Sequence, residues 1–240
     1  MNDIVDAPSL AQRIEHAKAY PFSRPASSYL FTKGSMQPLT DQAWRDRTPV
    51  IASGSNASPG RLAAKFGMHE RIPVTRASLR DFAVVFAGHF TAYGAIPATL
   101  YRVDGASAEV WITWLTSSQL EVMHQSEGVI GCREAEQRYD YVELNDLNVE
   151  TDIGPPIGRA GAYLSRRMLA PDGDPLRMAE VLASAPKLKA WSHPAALHLV
   201  AKILAPDQSF KCFMASVLSG VQQRQALFKT LTPSTLSRLT

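Results

Sequence analysis

Two short stretches hold side chains whose type and setting suit acid–base and anion chemistry. One is Glu127 in LEVMHQSEGVIG, and the other is Gly54-Ser55-Asn56, just behind the apolar run Pro49-Val50-Ile51. A carboxylate set among apolar neighbours loses solvation, so its pKa climbs toward neutrality and it can accept and return a proton at working pH. Glu127 is the candidate for that role. A loop at a strand end that contains Gly54 can bring backbone N–H groups close to an anion, because glycine has no Cβ to obstruct the approach. Such donors suit a carboxylate or a developing oxyanion. Taken alone, Glu127 reads as an ordinary solvated carboxylate at a helix end, where the helix dipole even disfavours it.

Other chemistries find less support. Ser55 lies in SGSNA, without the G-x-S-x-G frame of a hydrolase nucleophile. His193 and His198 are five residues apart, not the four of a helical metal pair, and no Cys or His cluster accompanies them. Cys132 and Cys212 have no CxxC partner and read as ordinary thiols suited to a reducing compartment. Asn56-Ala57-Ser58 formally matches a glycosylation acceptor but reads as loop. Trp111, Trp114, Phe82 and Phe86 fall in β-rich runs and read as core.

The elements that must position Glu127 and the loop follow from pattern. PVIAS, IPVTR, DFAVVFA, PATLYRV and EVWITWL are short β-rich runs bounded by Gly, Pro or Asp. SSQLEVMHQSE reads as a helix capped by Ser117 or Ser118 and stopped by Gly128, which places Glu127 at its end. YDYVELNDLNV alternates as a half-buried strand does, and RAGAYLS is a further strand. Ahead of these, residues 1–48 form an irregular arm with one amphipathic turn or two around Leu10 to Ala19. After about residue 167 the chain reads as helical, with LRMAEVLASA, AALHLVAKIL, SFKCFMASVLSG and VQQRQALFKTL separated by Pro and Gly. The expected organisation is an arm (1–48), an α/β (α+β) domain (49–167) and a C-terminal helical extension (168–240).

Composition bounds the function. The 240 residues are 45% hydrophobic and 20% charged, which suits one soluble core with an appendage. The net charge of +3 is scattered, without the basic runs of a nucleic-acid surface. The acidic start lacks an apolar signal region, and the best apolar run, residues 194–205, is broken by His198 and Lys202. The expectation is a cytoplasmic protein with no nucleic-acid or membrane partner.

Three stretches taken in order add a resemblance. Ala52-Ser53-Gly54-Ser55-Asn56, then GAIPATLYRVDGASAEVW, then LEVMHQSEGVIG resemble the γ-glutamylcyclotransferase family over roughly residues 49–165. In that family a Y-G-S-N loop, a G-x-A-T strand leading to V-W-G, and an L-D-x-x-E-G helix follow one another. The resemblance implies a small mixed sheet closed like a barrel, with flanking helices. It implies Glu127 as catalytic acid–base, with Ser53, Gly54, Ser55, Asn56 and Tyr139 binding the substrate. The substrate would be a small γ-glutamyl peptide or amine, closed to 5-oxoproline with release of the amine. No metal or other cofactor is implied, and a homodimer is left open. Ser53 stands where the family has tyrosine and His124 where it has aspartate. Those departures motivate two alternatives: a relative that binds an amino-acid-like ligand without turnover, or an interaction protein working through its C-terminal helices.

Overall fold

The computed structural model describes residues 7–39, 42–133, 136–154, 156–185, 187–220, 222 and 224. In chain order it holds α1 (Leu10–Lys18), β1 (Tyr29–Thr32), β2 (Ser35–Gln37), β3 (Thr48–Ala52), a 3₁₀ turn (Ser55–Ala57), α2 (Pro59–Phe66), β4 (Ile72–Phe86) and β5 (Ala98–Leu115). There follow α3 (Ser117–Ser126), β6 (Tyr139–Leu144), β7 (Val149–Thr151), β8 (Ala160–Ser165), β9 (Arg177–Met178), β10 (Ala183–Ser184), β11 (Ala190–Trp191), α4 (His193–Leu204) and α5 (Phe210–Ser219). The class is the expected mixture of helix and sheet.

The β4–β5 hairpin is the spine. Runs that read as separate strands are continuous, because alternation persists through the polar middle: Ala77 and Leu79 face in while Ser78 and Arg80 face out. The register shifts between Arg80 and Phe82. Asp81 sits there at φ 61 and its Oδ1 accepts the Gly105 N–H at 2.8 Å, so one extra residue is absorbed as a bulge. The hydrogen-bonded path runs β11-β9-β4-β5-β3-β8-β6, with β1 and β7 also on β4 and β10 also on β5. Here the expected closed barrel is corrected. Among the described residues β6 pairs with β8 alone, so the path ends there and the sheet is open.

Period-two alternation divides the core between two faces. Ile51, Val110 and Ile112 join one cluster with Ala17 of α1, Leu197 and Val200 of α4, and Phe213 and Met214 of α5. Their neighbours Val50, Ala52 and Trp111 point the other way, against Leu62 of α2 and Met123 of α3. Helices thus cover both sides of the central strands. Each fully buried large apolar side chain contributes about 1.5–3 kcal/mol.

Residues 176–185 were expected to be helical and are instead strand and turn. Arg177 pairs with Val85, and Ala183 and Ser184 pair with Ala108 and Ser107, so the open edges of the hairpin claim this segment. The helices AALHLVAKIL and SFKCFMASVLSG form as α4 and α5, whereas VQQRQALFKTL lies largely outside the described residues. Among the described residues no helix is long and apolar enough to cross a membrane.

Candidate functional site

Glu127 is the residue that ends α3. Its N–H bonds the Met123 carbonyl at 3.0 Å, and Gly128 at φ 68 then turns the chain away. The start of α3 is fixed by Thr116, one residue before the expected cap. Thr116 accepts from the Gln119 N–H while the Gln119 side chain accepts from the Thr116 N–H, a capping box. Thr116→Ala is expected to lower stability by about 1 kcal/mol, read as a shift in urea midpoint with unchanged slope.

Across the cleft, β3 ends at Ala52 and the chain passes through Ser53 and Gly54 into the 3₁₀ turn and then α2, which Pro59 opens in a position where its missing N–H costs nothing. This brings the Asn56 amide to Glu127, Nδ2 donating to Oε1 at 3.0 Å. Gly54 is needed for contact rather than for its dihedral angles. A Cβ there would meet the Tyr20 hydroxyl at 2.1 Å and the Ala98 Cβ at 3.2 Å. Gly54→Ala should therefore cost about 1–3 kcal/mol of overpacking, measurable by thermal denaturation. A stability equal to wild type would show that Tyr20 yields freely.

The loop and Glu127 line one cleft of about 280 Å³ together with Pro97 and Ala98 of the GAIPAT stretch, so the three segments of the resemblance meet. Ser53, Ser55 and Tyr139 also line it. Tyr139 is buried, with its hydroxyl donating to the Ala98 carbonyl at 3.4 Å. His124, where the family has aspartate, shares a hydrogen bond of 2.8 Å with the Tyr163 hydroxyl through Nδ1.

Sequence reading missed the cations. Lys65, in the last turn of α2, forms an ion pair with Glu127 Oε1, with only 8% of its side chain and 15% of that of Glu127 exposed. Arg61, one helical turn earlier, lies over the Tyr93 ring at 5.0 Å from its centroid, and Arg138 lines the cleft as well. The i, i+4 spacing of Arg61 and Lys65 directly after the loop was the available signal, since it puts both on one face. The ion pair corrects an expectation. Burial does push the Glu127 carboxyl up, but the Lys65 ammonium, the Asn56 amide and Arg61 outweigh it, and the carboxyl is held below its ordinary range. Glu127 is an ionised carboxylate here, paired rather than perched near neutrality.

Three further tyrosines, Tyr20, Tyr93 and Tyr163, line the cleft, and burial raises each phenol above its usual range. His89 stands edge-on to Tyr139 at 4.9 Å, and burial, helped by Arg138, pushes it down to about 3, so it is neutral. The cleft therefore offers one carboxylate, three cations and a set of protonated phenols. That set can take up an anionic group while Glu127 handles an amine. Among the described residues no three His, Cys, Asp or Glu side chains group as metal ligands would.

No family model matches the sequence, and no curated protein matches it. Among solved structures, a gamma-glutamyl cyclotransferase is similar at 18% identity and a TM-score of 0.40, over 80% of this chain and 91% of its own. An uncharacterized protein from Homo sapiens gives 18% identity and a TM-score of 0.38, over 79% and 90% of the two chains. A protein from Arabidopsis thaliana solved in solution gives 15% and 0.36, over 50% and 69%. All three of these TM-scores lie below 0.5.

Proposed function

We propose that this protein is a cyclotransferase acting on a γ-glutamyl compound, with Glu127 as the group that moves the proton. The observation that carries the reading is the placement of a buried, ionised Glu127 against the Ser53–Asn56 loop in a cleft otherwise rich in cations. The substrate's carboxylate meets Arg61, Arg138 or the loop, and its α-amino group comes to Glu127. The neutral amine gives one proton to Glu127 as its nitrogen bonds to the γ-carbonyl carbon. The amide C–N bond then breaks, and the same proton passes from Glu127 to the departing amine. Because nucleophile and electrophile share one molecule, positioning supplies an effective molarity of about 10⁵–10⁸ M.

For this to work the amine must displace Lys65 from Glu127. With the ammonium moved off, burial acts with less opposition and the carboxyl becomes a stronger base. The same ion pair favours the second reading, a binding protein whose carboxylate is permanently neutralised. The test is incubation of the purified protein with γ-glutamyl dipeptides, γ-glutamylamines and glutathione, followed by assay for 5-oxoproline. Product from wild type and none from Glu127→Gln supports the enzyme. Saturable binding of these compounds without product supports the second reading.

A further inference from the structure

The segment after α1 brings to the cleft a side chain that the proton transfer above does not use. Tyr20 is 3% exposed, and its ring packs near His193 of α4 with centroids 5.3 Å apart. The layer that holds it is tied across the chain, with Arg13 Nη2 of α1 donating to the Leu218 carbonyl of α5 at 2.8 Å. The Tyr20 hydroxyl accepts the Ala98 N–H at 2.8 Å and lies hard against Gly54. Its own proton has no acceptor among the described residues. The neighbouring phenols differ, since Tyr139 donates to the Ala98 carbonyl and Tyr163 is engaged with His124. Burial keeps Tyr20 protonated, and the Glu127 charge adds to that, so it is a donor and not a base.

We infer that Tyr20 is a further catalytic residue, whose O–H donates to the γ-carbonyl oxygen of the substrate as the α-amine adds to the carbonyl carbon. This rests on the cyclotransferase reading. As the new C–N bond forms, the C=O π pair moves onto oxygen, where the Tyr20 hydrogen bond meets the charge. When the C=O bond re-forms, the old C–N bond breaks, and the leaving nitrogen takes its electron pair and the proton held by Glu127. Tyr20 keeps its proton throughout. A donor fixed in advance by Ala98 and by the packed ring needs no reorganisation when the charge appears, which is the condition under which such donors are most effective.

The full chain is assayed for 5-oxoproline from a γ-glutamyl dipeptide. Tyr20→Phe is expected to lose about 10²-fold in kcat, the usual effect of deleting one oxyanion donor, with a much smaller change in KM. The substitution also strands the Ala98 N–H, so a second series keeps the hydroxyl and that bond: 3-fluorotyrosine and 3,5-difluorotyrosine at position 20. For a donor, kcat rises stepwise with the acidity of the phenol. A flat series beside an impaired Tyr20→Phe assigns Tyr20 to holding Ala98 and overturns the inference, as does a Tyr20→Phe enzyme with wild-type kcat. Absence of product from wild type removes the cyclotransferase reading and this inference with it.

Discussion

Replacing Glu127 by glutamine is expected to reduce 5-oxoproline formation by about 10²–10⁴-fold, the range over which a positioned general acid–base contributes. Glutamine keeps the shape and can still accept from Asn56, so the Ser53–Asn56 loop has no steric reason to move. What it cannot do is hold a proton between the attacking and departing nitrogens. The variant also leaves Lys65 buried without its counter-charge, so the melting temperature falls as well. The two effects separate by assaying below the melting transition. More than about a tenth of wild-type kcat in a folded Glu127→Gln protein would place the acid–base group elsewhere.

Lys65→Met carries the second large effect. Removing one partner of a buried pair costs roughly 3–5 kcal/mol at neutral pH, because the Glu127 carboxylate is then buried with less to offset its desolvation. The pH dependence has a definite sign. In wild type the folded carboxyl lies below its ordinary value of 4.5, so its contribution to stability is present above that value and is lost as pH falls through the lower folded pKa. In Lys65→Met the carboxyl rises, and the protonated acid tolerates burial. The deficit relative to wild type is therefore largest at neutral pH and shrinks as pH falls from the raised carboxyl of the variant, through the ordinary carboxyl range, to the lowered one of wild type. The acid limb of the kcat/KM profile moves to higher pH in parallel. Urea midpoints at pH 7 and pH 4 that differ from wild type by equal amounts would show that the ion pair contributes nothing.

The parts of the site that could be read from sequence are those carried by local pattern. Glu127 followed by Gly128 reads as a helix end, and Gly54 to Asn56 behind an apolar strand reads as a loop, because both signals lie within a few residues. Their meeting in space was legible only through the order of the three motifs. For Lys65 the local signal is slight: its i, i+4 spacing from Arg61 puts the two on one face but does not say whether that face meets solvent or Glu127. Only the packing of α2 beside α3 through Leu62 and Met123 turns it inward. Tyr20 was harder still, since it follows a short helix in a stretch whose prolines and glycine read as an irregular arm. Residues 176–185 failed in the other direction. Their apolar spacing fits a helix, but the backbone groups exposed along β4 and β5 provided the stronger partner, as tertiary context often does against propensity.

The bond from Arg13 to the Leu218 carbonyl closes a separation of 205 residues, and this sets an order of events. During synthesis α1 emerges before α5, yet the surface it docks on is not complete until α5 has left the ribosome. Closing a loop of that span costs more chain entropy than closing the β4–β5 hairpin, whose contacts are local. The segment bearing Tyr20 follows α1 directly, so the cleft wall it supplies depends on a contact that cannot form before α5 has been made.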